Sequence, residues 1–273
     1  MSLVGVRLAD LMSAPDVFTL PAPYYLFRLL TGSDHMHFGW FRTDDEDPGE
    51  AQENMMELNL FFRPGKLDTA LDVGAGLGAT ARWLSRRDIA VTSISPDAPL
   101  IEYARLAAAS DEVKHKVDFQ VCKFEEFEPP TQYDWVLFQE SFQYFDDVHD
   151  TLSRARNAVR VGGRLHIGDQ FLHVDLPREQ GRFHYLPSVL QTAKNLGFEL
   201  RTKCDVSRAA YRMTGRCLEV LRENKDQWIA EHAAKIPSIE KDIDDMLNCG
   251  TLEWDAYVGG HLSYELMAFE RVQ

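Results

Sequence analysis

Leu71-Asp72-Val73-Gly74-Ala75-Gly76-Leu77-Gly78 is the stretch whose reading decides the fold of this chain. It follows a short apolar run and leads into Ala79-Thr80-Ala81-Arg82-Trp83-Leu84, which reads as a helix. An apolar strand, a glycine turn and a helix start make a βα unit of the nucleotide-binding kind. Glycines let the backbone turn tightly and approach a ligand with no Cβ in the way, and the following helix offers free N–H groups and the positive end of its dipole. The spacing Gly74-x-Gly76-x-x-Ala79 also satisfies a relaxed dinucleotide pattern, so the turn alone leaves the cofactor open. Asp72, a carboxylate at the strand end just before the glycines, tilts that choice once later stretches are read with it.

Strands and helices alternate from Thr69 onward. The pattern predicts strands at Thr69–Val73, Ala90–Ile94, Val117–Val121, Trp135–Phe138, Arg164–Ile167 and Phe198–Lys203, with a last strand at Ser263–Arg271. Between them it predicts helices near Ala79–Arg87, Pro99–Ala109, Val148–Val159 (stopped by Gly162-Gly163) and Leu186–Leu196 (stopped by Gly197). Such alternation implies an α/β fold with a doubly wound, mostly parallel seven-stranded sheet. Residues 205–257 break the alternation and read as two or three helices, with a restart at Pro237-Ser238. The expected organisation is an N-terminal helical lid over 1–65, a core of 66–204 and 258–273, and a helical cap over 205–257. Within the lid, Pro23 to Leu30 reads as a helix. Asp44 to Glu57 holds seven acids and no Lys or Arg, with those near Glu50 to Glu53 suiting a helix N-terminus.

The 273 residues suffice for one large domain, and an apolar fraction of 45% excludes a disordered chain. No apolar run approaches the ~18 residues of a spanning helix, and Met1–Arg7 lacks the pattern of a signal peptide, so a cytoplasmic protein without membrane insertion is expected. A net charge of -14 opposes nucleic-acid binding and suits a neutral or cationic small ligand. The four cysteines Cys122, Cys204, Cys217 and Cys249 form no CxxC pair and read as reduced thiols, with no metal site expected. His35 and His37 lack a third ligand nearby in sequence. A homodimer is left open.

Ligands of open α/β sheets sit at the carboxyl ends of the strands, so the loops there are the candidates for chemistry. Where a ribose-binding acid is expected, about 20 residues past the glycines, the second strand reads Val91-Thr92-Ser93-Ile94-Ser95-Pro96. Ser93 can make one bond to a ribose hydroxyl, and Asp97 is an alternative carboxylate. After the third strand comes Cys122-Lys123-Phe124-Glu125-Glu126-Phe127, either an adenine-flanking loop or a solvated acidic one. After the fourth comes Gln139-Glu140-Ser141-Phe142-Gln143-Tyr144-Phe145-Asp146-Asp147-Val148-His149-Asp150. A Glu buried there beside an apolar substrate would have its pKa raised, as suits a general base; it could equally do no more than bond backbone amides or the cofactor. Aromatic rings at Trp40, Phe41, Phe142, Tyr144, Trp254 and Tyr257 suit a cationic group, or simple packing.

Together these stretches resemble the class I S-adenosylmethionine-dependent methyltransferases. In that family the acid at Asp72 helps hold the amino-acid end of the cofactor, and the glycines admit its ribose and methionine portions. Ser93-Ile94-Ser95 and Phe124-Glu125-Glu126-Phe127 look like the cyclopropane-synthase branch, where the second strand's acid is also absent. The Glu140 to Asp150 loop resembles that of terpene-diphosphate C-methyltransferases, although Tyr144 departs from the His of the cyclopropane synthases. Asp34-His35-Met36-His37-Phe38-Gly39 resembles the lid of tocopherol methyltransferases. The resemblance implies S-adenosylmethionine as cofactor, held by Asp72, Gly74, Ala75, Gly76, Ser93, Ile94, Phe124, Glu125 and Gln139. It implies catalytic roles for Glu140, Tyr144 and His37, and substrate contacts at Trp40, Phe41, Phe142 and Tyr257. The expected reaction is methylation of a small molecule, preferably at carbon of an apolar, alkene-bearing or prenylated one, with N- or O-methylation of a polar molecule as the alternative. An NAD-dependent oxidoreductase and a non-catalytic homologue are the remaining readings.

Overall fold

The computed structural model describes residues 20–111, 116–175 and 183–272. The segment Met1–Arg7 and the rest of residues 1–19 of the expected lid lie outside these ranges. In chain order the elements are α1 (Ala22–Thr31), α2 (Pro48–Asn59), β1 (Thr69–Val73), α3 (Ala79–Ser85), β2 (Ala90–Ser95), α4 (Ala98–Ser110), β3 (Val117–Val121) and β4 (Tyr133–Gln139). They continue with α5 (Val148–Ala158), β5 (Val159–Leu172), β6 (His184–Tyr185), α6 (Leu186–Asn195), β7 (Phe198–Asp205), α7 (Ser207–His232), α8 (Ile239–Val258) and β8 (Leu262–Arg271).

The sheet runs β3-β2-β1-β4-β5-β8-β7, with the two-residue β6 paired to β5 off this path. Pairing is parallel except where β8 runs antiparallel between β5 and β7. The mostly parallel α/β sheet is therefore as expected, with the short β6 added. Both faces are covered, so its central strands are apolar on alternate residues in both directions. Leu71, Val73, Val136, Phe138 and Ile167 pack on one face with Leu152 of α5 and Val189 of α6. Ala70, Val91, Trp135 and Leu137 pack on the other with Trp83 and Leu84 of α3 and Ile101 and Ala104 of α4.

One boundary differs instructively. Gly162 and Gly163 do not stop a helix: α5 ends at Ala158 and both glycines lie inside β5. The β4–β5 register shifts there, from Tyr133 opposite Val159 to Trp135 opposite Arg164. Gly162 takes φ +74°, and a Cβ on Gly163 would lie 2.8 Å from the Asp134 carbonyl oxygen. The pair makes a bulge, not a cap. β5 also runs to Leu172, through the polar Asp169 and Gln170, because β8 pairs with it along that whole length.

Two further packing units set the site. Two helices, α7 and α8, lie between β7 and β8 as expected, and α1 joins them through Leu26 and Leu30 against Leu221, Ile236 and Ile243. Beneath them Phe38, Phe41, Met55, Ala210, Met213, Tyr257, Tyr264 and Leu266 form one cluster, drawn from the lid, α2, α7, α8 and β8. The lid, the helical pair and the last strand are thus one packed layer over the carboxyl edge.

Candidate active site

The first wall is the turn after β1. Gly74, Gly76 and Gly78 take φ of +93°, +51° and +76°, which favours glycine at each. At Gly74 the lack of a side chain is also steric, since a Cβ would sit 2.5 Å from the Ser141 Cβ. The amides of Gly74 and Ala75 both donate to the Ile94 carbonyl at 2.9 Å, so Ile94 anchors the loop through its backbone while its side chain is buried. Asp72 is buried at the strand end, and its Oδ2 accepts the Ser93 hydroxyl at 2.7 Å. Burial pushes the Asp72 carboxyl up to about 7, and the Ser93 bond offsets only part of that. Ser93 therefore spends its hydroxyl on Asp72 rather than on the groove, and Asp97 caps α4 by accepting from the Leu100 amide.

Asp72, Gly74, Ala75 and Gly76 line a cleft with Asp34, Met36, His37, Thr80 and Gln139. Gln139 accepts from the Thr80 hydroxyl at 3.5 Å, and its buried amide nitrogen has no hydrogen-bond partner. A buried carboxyl with only a hydroxyl partner, an orphaned amide donor and a loop that excludes Cβ atoms suit a ligand bearing an ammonium, a carboxylate and a ribose. S-adenosylmethionine carries all three.

Phe124 and Glu125 stand apart from this cleft. Phe124 is buried against Phe138 and Phe145, at centroid distances of 5.3 and 5.8 Å, and Glu125 is exposed. The aromatic expected over the adenine packs into the core instead, edge-on to both neighbouring rings.

The second wall is the lid. Asp34 accepts from Arg28 Nε at 2.7 Å, from the Tyr103 hydroxyl at 2.9 Å and from an Arg82 guanidinium nitrogen at 2.6 Å. Burial alone would raise its pKa, but Arg82 and Arg28 outweigh that and hold it below the usual carboxylate range. His37 is buried with both ring nitrogens engaged, Nδ1 with the Phe38 carbonyl at 2.9 Å and Nε2 with His35 Nδ1 at 3.0 Å. Burial and the neighbouring His35 push His37 down to about 3. His35 in turn meets Glu53 at 3.3 Å, and the Gln52 amide donates to the carbonyls of His35 and His37 at 2.9 and 2.7 Å. His37 reaches the cleft as a neutral ring whose nitrogens serve the lid itself.

The third wall centres on Glu140, at the end of β4. It takes φ +52°, rare for a non-glycine residue, and its amide donates to the Gly168 carbonyl at 2.8 Å. Its Oε1 accepts both the Phe38 amide of the lid and the Tyr264 hydroxyl, the latter at 3.0 Å. Burial pushes the Glu140 carboxyl up to about 8; the Phe38 and Tyr264 bonds pull it down, while Asp169 and Glu253 push it further up. Tyr257 is buried nearby, and its hydroxyl p Ka is raised well above the ordinary value by burial and by Glu253, Glu140 and Asp169.

The other expected residues fall elsewhere. Phe142 is fully buried among Phe138, Phe171 and His184, so it supports the loop from behind; the core takes it because the short turn Phe142–Tyr144 points its first ring inward. Tyr144 follows on the outside at 65% exposure. Trp40 is half-buried, its amide bonded to the Ala51 carbonyl at 2.7 Å, and Phe41 lies under the Arg212 guanidinium at 4.6 Å. The sequence reading missed Tyr264, Gln52 and the Arg28–Asp34–Arg82 junction. Only the apolar alternation of the last strand hinted at Tyr264, and nothing local pairs Asp34 with an arginine 48 positions away. All four cysteines are free thiols, and no group of three or more His, Cys, Asp or Glu among the described residues is arranged to hold a metal. No helix among the described residues is long and apolar enough to cross a membrane.

Comparison with known proteins bears on this geometry. The model of a methyltransferase domain family matches residues 71–167, from the glycine loop to the middle of β5. The chain is 29% identical over 147 residues to 27-O-demethylrifamycin SV methyltransferase of Amycolatopsis mediterranei, covering 53% of this chain and 54% of the relative, so that match spans about half of the curated protein. It is 24% identical over 249 residues to sarcosine/dimethylglycine N-methyltransferase of Halorhodospira halochloris, covering 85% and 89%. The fold superposes on a cyclopropane synthase from Mycobacterium tuberculosis with a TM-score of 0.77 over 97% of this chain and 98% of the other, at 18% identity. The glycine loop and the buried Asp72 thus lie at the start of a stretch, residues 71–167, that is similar to a methyltransferase domain, and this match and the chemistry of the cleft agree on S-adenosylmethionine as the cofactor.

Proposed function

We propose that this protein transfers the methyl group of S-adenosylmethionine to a carbon of an apolar, alkene-bearing or prenylated small molecule, with Glu140 taking the proton that the acceptor loses. The observation that carries the proposal is the placement of Glu140. A half-buried carboxyl pushed up to about 8 stands at the carboxyl edge, bonded to the lid on one side and to the last strand on the other. A base with that proton affinity is matched to proton removal near neutral pH.

S-adenosylmethionine, when bound, supplies a methyl group already activated on a sulfonium. The chain itself has three tasks. Asp72, the Gly74–Gly76 turn, Thr80 and Gln139 hold the cofactor, with Asp72 turning toward its cationic end. Residues 34–41 of the lid and the 205–257 cap close over the edge and exclude water, which fixes donor and acceptor in line. Glu140 accepts the proton at its second oxygen, Oε2, as the acceptor's C–H bond breaks and its electrons quench the positive charge left by methylation. Among the expected substrate contacts, Tyr257 is the ring that lies near Glu140, where such a charge would form. Tyr144, on the outside of its turn, would act only on an acceptor that extends to the surface.

N-methylation of a polar small molecule is the second reading. The N-methyltransferase of H. halochloris aligns along 85% of this chain, and Asp169 and Glu253 stand near Glu140, which suits a protonated amine. Transfer of labelled methyl from S-adenosylmethionine to a panel of prenylated alkenes and of amines separates the two. Glu140→Gln is expected to keep cofactor affinity and lose about 10²- to 10⁴-fold in turnover. Turnover near wild type would remove Glu140 as the base, and failure to bind S-adenosylmethionine at millimolar concentration would remove the whole reading.

A further inference from the structure

Two donors from opposite sides of the site converge on one oxygen of Glu140. The Tyr264 hydroxyl comes from β8 and the Phe38 amide from the lid, and both donate to Oε1. Oε2 carries no hydrogen bond among the described residues. Tyr264 also touches the lid directly: its ring lies 5.8 Å from that of Phe38, tilted by 31°. It is fully buried on a face otherwise lined by Leu266 and Ala268, where a phenylalanine would serve packing equally well. Its hydroxyl, then, is there for Glu140. The peptide of Glu140 is fixed independently, by its bond to the Gly168 carbonyl.

We propose that Tyr264 and the Phe38 amide act as one clamp on Oε1 of Glu140, so that closing the lid aims Oε2 at the acceptor; Tyr264 is thereby a positioning residue for methyl transfer. This inference rests on Glu140 being the base. The clamp has a second consequence. A carboxylate accepts stronger hydrogen bonds than a neutral carboxyl group. When the acceptor's bond to hydrogen breaks and an O–H bond forms at Oε2, Oε1 becomes a weaker acceptor and the hold on Phe38 loosens. Capture of the proton therefore releases the lid, and the opened site lets Glu140 return that proton to water. The charged and titratable groups facing Glu140 are Asp169, Glu253, Tyr257 and Tyr264; the two acids disfavour a lasting negative charge on it.

The test needs no knowledge of the acceptor. With S-adenosylhomocysteine bound, hydrogen exchange is followed at the Phe38 amide, and the Glu140 carboxyl is titrated by carbon NMR, assigned by its loss in Glu140→Gln. Tyr264→Phe should leave S-adenosylhomocysteine affinity unchanged, raise Phe38 exchange about tenfold and move the Glu140 midpoint up from about 8. Exchange and midpoint both unchanged would overturn the clamp. Should Tyr264→Phe fail to fold, the wild-type protein gives the same answer: protection of Phe38, corrected for intrinsic rate, should fall as pH drops through the Glu140 midpoint, and flat protection would overturn the proposal. A Glu140→Gln enzyme with wild-type turnover would remove the base but leave these signals. An inactive Glu140→Gln enzyme without the signals would remove the clamp and leave the base. With an acceptor in hand, Tyr264→Phe should lower kcat and leave KM for S-adenosylmethionine unchanged.

Discussion

The two sides of the carboxyl edge are built by different means. The cofactor side is nearly all local: Asp72, the three glycines, Ser93 and the Ile94 carbonyl come from two adjacent parallel strands and the turn between them. Much of its shape is backbone. The side proposed for the acceptor is assembled from afar, with Phe38 from the lid, Glu140 from the end of β4, Tyr257 from α8 and Tyr264 from β8. Apart from the Phe38 amide, its chemistry is side chain. A backbone site suits one invariant ligand, because it needs only a turn to be kept. A site imported by side chains can be rebuilt without disturbing the first, and the chain's relatives carry names of O- and N-methyltransferases.

If the sides are separable, the largest effect should come from cutting the junction that ties them. Asp34 joins the lid to α3 through Arg82 and to α1 through Arg28, and only 17% of its side chain is exposed. Removing one member of a buried ion network leaves the other charges uncompensated and costs about 3–5 kcal/mol. Asp34→Ala should lose that much in urea unfolding, with the lid's exchange protection lost first. Next comes Gly74→Ala, which demands φ +93° of an alanine and puts its Cβ 2.5 Å from that of Ser141. Strain and overpacking together should cost about 2–4 kcal/mol. Calorimetry should show cofactor binding abolished while residues 34–41 stay protected; retained binding would mean that the turn is less exacting than its geometry says.

The same contrast governs what the sequence could disclose. The glycine turn, Asp72 and the strand alternation were legible because each depends on neighbours within a few residues. Gly162-Gly163 misled for the same reason, since a glycine pair after a helix reads as a stop, and only the pairing of β4 with β5 makes it a bulge. Glu140 was legible as a candidate base, but not the two donors on its Oε1, which lie 102 and 124 positions away. Phe124 and Phe142 sat in the right loops, yet a loop's sequence does not say which of its rings turns inward.

Asp72 offers a pH test confined to the cofactor side. Its carboxyl is pushed up to about 7 when folded, while an unfolded aspartate titrates near ~3.9. Between those values the folded state holds a proton that the unfolded chain releases, so stability contributed by this group is present at low pH and is lost as pH rises through about 7. Glu140 adds a loss of the same sign up to about 8, so Asp72→Asn is needed to separate them. A cationic cofactor group binds the deprotonated form. Wild-type affinity for S-adenosylmethionine should therefore rise with pH by up to about tenfold per unit until about 7, with proton release visible as a buffer-dependent heat. Asp72→Asn should flatten that rise and weaken binding at pH 8 by about 1.5–3 kcal/mol. An unchanged slope would place the cofactor's charge elsewhere.

The smallest effect asks how far the lid's own support reaches. Asp47 caps α2 by accepting from the Glu50 amide at 2.8 Å, and Glu50 returns the bond to complete a capping box. One turn on, α2 presents Gln52 to the carbonyls of His35 and His37, and Glu53 to His35 and Trp83. Fraying the first turn of α2 therefore slackens the segment that carries Phe38, without touching β1 or the glycine turn. Asp47→Ala should cost about 1 kcal/mol. Exchange at residues 35–38 should quicken while Gly74–Gly76 keep their protection. Equal loosening of both would show that the acceptor side and the cofactor side open as one body. The lid could then not be released by a proton on Glu140 alone, because its hold on the cofactor loop would have to break as well.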